Sequence, residues 1–140
     1  MIDQIDRRLT EWVAKTLGTP LTVSLSFPPS EHTDRGVSLF LLELADALPL
    51  RGNKRSPLQV MLRYLVTTWA AQPEDAHRLL GDLLFAALSD PEFDVEVGSV
   101  TPALWSALGV HPQPAFILRV LVRLERPEPE VHYVRKPLVV

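Results

Sequence analysis

The chain has 140 residues, 46% apolar and 22% charged, with a formal net charge of −3 and no cysteine. That length suits one hydrophobic core and hence a single domain over residues 1–140. The composition argues against a disordered chain, and the lack of cysteine excludes a disulfide scaffold, a thiolate nucleophile and Cys-based zinc or iron–sulfur sites. No cationic surplus advertises nucleic acid or an anionic membrane as a partner.

Residues 2–17 carry Ile2, Ile5, Leu9, Trp12, Val13 and Leu17 at helical spacing, which predicts an amphipathic helix. Asp3 near its start, Lys15 near its end and the stop Gly18–Pro20 agree with that direction. The same opening is charged from its third residue and is not expected to be a secretory signal, and no apolar run approaches the ~20 residues that span a bilayer. A soluble, cytoplasmic chain is the expectation.

From Leu21 the period becomes two, with Leu21, Val23, Leu25 and Phe27 on one face of a strand ended by Pro28–Pro29. After the polar stretch 28–36, residues 37–46 are apolar on both faces, as a more central strand would be. Loop 47–57 is rich in cations and breakers, and a long strand follows over 58–70, with Leu58, Val60, Leu62, Tyr64 and Val66 on one side. Pro73, Glu74 and Asp75 open a second helix to about residue 88, whose stripe is Ala76, Leu80, Leu83, Leu84 and Ala87, widened by Leu79 and Leu88. Residues 92–98 suit an edge strand, and Thr101–Pro102 with Gly109 bracket a short helix over 102–108. Phe116, Leu118, Val120, Val122 and Leu124 form one face of a strand over 115–125. Residues 127–140 read as an extended arm or a last edge strand. Consecutive strands without helices between them predict an α+β fold: a mainly antiparallel or mixed sheet packed against two longer helices and one short one.

The search for catalytic chemistry is short. The six glycines stand singly and build neither GxGxxG nor a P-loop, and there is no HExxH and no GxSxG. The four histidines, His32, His77, His111 and His132, lack ligand spacing, so no metal is expected. The carboxylate pairs Glu43/Asp46, Asp94/Glu96 and Glu128/Glu130 have no feature that favours acid–base catalysis. No catalytic residue and no cofactor is predicted.

Surfaces are more informative. Arg51, Lys54 and Arg55 cluster in the loop around Gly52–Asn53 and suit an acidic partner or a nucleic acid end, or simply a solvated loop. Trp69 at a strand end and Trp105 in the short helix suit core packing, with interface anchoring as the rival. Val139 and Val140 close an extended, apolar terminus that suits strand addition to a neighbour or a plain edge strand.

The stretches LPLRGNKRSPLQVMLRYLVTTWAAQPEDAHRLLGDLLFAAL (48–88) and TPALWSALGVHPQPAFILRVLVRLE (101–125), with IDQIDRRLTEWV and VSLFLLELADALPLR, carry a resemblance that covers nearly the whole chain. LRYLVTTWA followed by AHRLLGDLL is its most specific part. The chain resembles the cap (tail terminator) proteins of contractile, phage-tail-like injection systems of the antifeeding-prophage and virulence-cassette type. The resemblance implies a homohexameric ring that ends tube and sheath polymerisation, with itself and the tube and sheath proteins as partners, and no nucleic acid or membrane. Arg51, Lys54, Arg55, Trp69, Val139 and Val140 are the candidate contact residues. Another tail-completion or assembly-chaperone subunit is the alternative, and an enzyme of unknown chemistry the remoter one.

Overall fold

Residues 1–18, 20–27, 34–47 and 58–124 are described by the computed structural model. Along them run α1 (Ile2–Leu17), β1 (Thr22–Ser24), β2 (Gly36–Asp46), β3 (Leu58–Trp69), α2 (Pro73–Ser89), β4 (Phe93–Glu96), α3 (Pro102–Leu108) and β5 (Phe116–Leu124). The strands form one mixed sheet in the order β1-β2-β3-β5-β4, with β1 parallel to β2 and the other neighbours antiparallel. The α+β expectation thus holds, with β3 at the centre and β4 at an edge.

Alternation along the strands sorts the apolar residues onto two faces. On the first face Leu62, Tyr64, Val66, Leu118 and Val120 meet Leu9 and Val13 of α1 and Leu83 and Ala87 of α2. On the second face Leu65 and Ile117 meet Trp105 of α3, with Phe27, Phe40 and Val110 packed around them. The sheet is therefore buried on both sides at the end where β3 finishes. Its other end projects past the helices and leaves Leu44, Leu58 and Leu121 exposed.

Local signals fix the helix ends. Thr101 accepts a hydrogen bond from the Leu104 amide at 3.2 Å, Pro102 stands in the first turn, and Gly109 closes α3 at φ 72°. Gln72 precedes Pro73, and Glu74 and Asp75 sit in the first turn of α2, where the helix dipole favours negative charge.

Long-range polar contacts tie the layers together. The Tyr64 hydroxyl, on a side chain with no exposed surface, donates to Asp6 Oδ1 of α1 at 2.6 Å. Burial, and next the Asp6 carboxylate, raise the phenol pKa above its ordinary value. Arg8 pairs with Glu92, and Trp12 meets Phe93 edge-on at 4.9 Å, which holds α1 against β4. Thr68 Oγ1 donates to the Ala76 carbonyl at 2.6 Å across the β3–α2 turn.

Two expectations need correction. The strand expected over 21–27 ends at Ser24, because Ser24 and Ser26 bond locally and the Ser26 amide donates to Ser24 Oγ at 3.1 Å. Phe27 consequently reaches the second core and stacks on Phe40 at 4.4 Å, while Leu25 is exposed. Leu88 does not widen the buried stripe of α2 but is 64% exposed. Five residues of helical rotation turn it roughly 140° from Leu83. In β2 the register shifts between Leu41 and Glu43, so Leu42 joins Phe40 on the second face and Glu43 still meets Arg63 there. The last stretch, 127–140, lies outside the described residues. Among those that are described, no helix is long and apolar enough to cross a membrane.

Candidate functional site

Of the residues singled out as contacts, Arg51, Lys54, Arg55, Val139 and Val140 lie outside the described residues. Trp69 is the last residue of β3 and is 4% exposed. Its indole covers Gly36, its register partner on β2, and its Nε1–H donates to Asp34 Oδ1 at 3.4 Å. Asp34 also receives the Thr22 hydroxyl at 2.5 Å, so one carboxylate ties the start of β1 to the end of β3. In the single chain this tryptophan is a core residue rather than an accessible anchor, and Trp105, 5% exposed, packs against the sheet in the same way.

The residues that could carry chemistry are occupied with one another. On the second sheet face Glu43, Arg63, Glu96, Arg119 and Asp94 form a ladder across four strands. Arg63 Nε donates to Glu96 Oε2 at 2.8 Å and also pairs with Glu43. Arg119 reaches Asp94 at 2.7 Å and Glu96 at 3.5 Å. Hydrogen bonding to Glu96 holds the Arg63 guanidinium above its ordinary pKa, against the opposing effect of its partial burial. Asp94 and Glu96 thus each answer an arginine, an arrangement that staples neighbouring strands. Glu43, of the pair Glu43/Asp46, joins the same ladder through Arg63. Among the described residues no group of His, Asp and Glu could hold a metal, and His77 and His111 stand exposed. The ladder was missed at the sequence level because its five members come from four strands. The only local sign was a charge in the middle of each apolar run.

The concave surfaces are open. One, of about 700 Å³, runs along the outer edge of β5 past the start of β4 and is lined by Arg8, Met61, Phe93, Arg119, Leu121 and Arg123. This is the shape of a groove for an extended segment or a flat neighbour, not of an enclosed small-molecule cavity. The sheet is unfinished beside it. β4 pairs with β5 only as far as Val120, and β1 pairs with β2 only from Gly36 to Ser38, so both edges keep unpaired length among the described residues. On the opposite side of the molecule Phe85 and Leu88 are 73% and 64% exposed. The sequence reading missed Phe85, whose apolar character carries no sign of the direction it faces.

No family model matches the chain, and no curated relative does. Two solved structures share its fold. One is the sheath/tube terminator of an extracellular contractile injection system, PVC, in the extended state: TM-score 0.76, 18% identity, 93% of this chain and 58% of that one. The other is the tube-terminating cap of the anti-feeding prophage: TM-score 0.72, 17% identity, 92% of this chain and 56% of that one. The chain therefore spans a little over half the length of each protein it matches.

Proposed function

We propose that this chain is a structural terminator of a contractile injection system, a subunit that docks on the finished end of a tube and its sheath and leaves no surface for the next subunit. The observation that carries the reading is the fold shared over 93% of the chain with a sheath/tube terminator at a TM-score of 0.76. The geometry is compatible with such work. A sheet with unpaired edges, a shallow groove and carboxylates neutralised by arginines provides docking area without a reaction centre.

In this reading the chain assembles as a homohexameric ring in the cytoplasm of the producing cell, contacts tube and sheath proteins, and needs no cofactor. Closed symmetry lets one small subunit cover a whole cross-section, because each copy satisfies its neighbour and the set exposes no free head or tail. Arg51, Lys54, Arg55, Val139 and Val140 are the residues proposed to face tube or sheath, the first three for their charge and the last two for an apolar terminus suited to strand addition. Trp69 contributes by fixing the end of β3 to the start of β1 through Asp34.

The test is to assemble particles with and without the chain and measure length by negative-stain microscopy. Tubes and sheaths of uncontrolled length in its absence, restored on adding it back, are expected. Uniform particles without it would reject the reading. An assembly chaperone would instead lower particle number at unchanged length and be missing from finished particles.

A further inference from the structure

We infer that neighbouring copies of this chain join through the outer ridge of α2 on one copy and, on the next, the half of the second sheet face that no described residue covers. The inference rests on the ring-forming reading above and names the surfaces that would build the ring.

The ridge is Gly81, Phe85 and Leu88, at helical spacing on the side of α2 that faces away from the sheet. Phe85 and Leu88 rank among the most exposed large apolar side chains of the described residues and contribute nothing to either core cluster. The ridge is also acidic: α2 carries Glu74, Asp75 and Asp82 against Arg78, which already pairs with Asp75. Asp82, one turn before Phe85, has no ion-pair partner among the described residues.

The receiving surface lies on the other side of the sheet, past the ladder, where α3 does not reach. Met61 and Leu121 stand opposite each other there, with Gln59 and Arg123 as the next pair outward. Leu121 is 38% exposed, and Arg123 is exposed with no ion-pair partner among the described residues. One surface is apolar with an unanswered anion, the other apolar with an unanswered cation. Ridge against ridge would oppose Asp82 to Asp82, and sheet against sheet would oppose Arg123 to Arg123, so complementarity selects ridge against sheet. Because the two surfaces lie on opposite sides of one subunit, the contact is head-to-tail, which closes into a ring when the rotation per step permits.

The test uses the full chain with Asp82→Lys, Arg123→Glu and both together. Assembly is read as solution mass and as copy number at tube ends, and circular dichroism melts confirm folding. The wild type is expected to form one closed species. Each single reversal should weaken assembly by roughly tenfold or more, and the double reversal should restore it. Single variants that assemble like wild type overturn the contact, as does a double variant that stays apart or a wild type that is monomeric in both settings. Tube length judges the capping reading separately: uniform tubes ended by freely assembling single variants keep that reading and discard this contact. Phe85→Ser rings that no longer attach to particle ends would assign the ridge to tube or sheath and overturn the contact too.

Discussion

Tyr64 joins the central strand to α1 by a side-chain hydrogen bond. A fully buried phenol on the central strand donates to Asp6 on α1, so the helix is held to the sheet by a directional bond as well as by apolar area. Tyr64→Phe keeps the ring and removes the bond, and should lower stability by about 1–2 kcal/mol in urea titrations at pH 7. Because the folded-state pKa is raised, the neutral phenol is the form that folding favours. Its contribution is complete below the unfolded value of about 10 and is lost as pH climbs toward the folded value. Wild type should therefore lose stability above about pH 10 by more than the Phe variant does, and parallel slopes would contradict the assignment. Gly36 is constrained by space: a Cβ there would lie 2.2 Å from the Trp69 ring and 2.6 Å from the Thr22 carbonyl oxygen. Gly36→Ala should cost about 1–3 kcal/mol and displace the indole, visible as a shift in tryptophan fluorescence.

The two faces of α2 separate what the fold needs from what it does not. Leu83 is fully buried among α1 and the sheet, whereas Leu88 on the same helix points to solvent. Leu83→Ala should cost about 2–5 kcal/mol, while Leu88→Ala should change the stability of the dissociated subunit by no more than about 0.5 kcal/mol. Thermal melts of the pair would check the contrast. A large loss at Leu88 would mean that the ridge is covered in the purified protein. The short α3 depends on its cap, since seven residues cannot hold a helix by propensity alone. Its value lies in bringing Trp105 over Leu65 and Ile117 to close half of the second sheet face.

At the scale of the whole molecule, every residue of the main buried clusters, among those described, falls between Leu9 and Val122. A chain ending at Leu124 keeps all of those core residues and is expected to fold, with a cooperative thermal melt as the check. If the terminal segment is a docking arm, that truncated chain loses its attachment to tube or sheath while remaining a folded subunit. Unaltered capping would remove Val139 and Val140 from the contact set. The two structural relatives are longer, and this chain corresponds to a little over half of each.

The order and type of the elements were legible in the sequence because they rest on periodicity that each segment carries by itself. α1 was marked by its stripe and Gly18, β3 by twelve residues of alternation, and α3 by Thr101, Pro102 and Gly109. The want of nucleophile, phosphate-loop and metal-ligand patterns was equally local. Tertiary structure alone decided what depends on which strands become neighbours: the insertion of β5 between β3 and β4, the parallel placement of β1, and the turn of Phe27 into the second core. It also decided the meeting of Glu43, Arg63, Glu96, Arg119 and Asp94, and the exposure of Phe85. A stretch of chain encodes the side on which its own apolar atoms lie. The partner that covers that side is chosen by register and packing among segments far apart in sequence, and those relations exist only once the chain has folded.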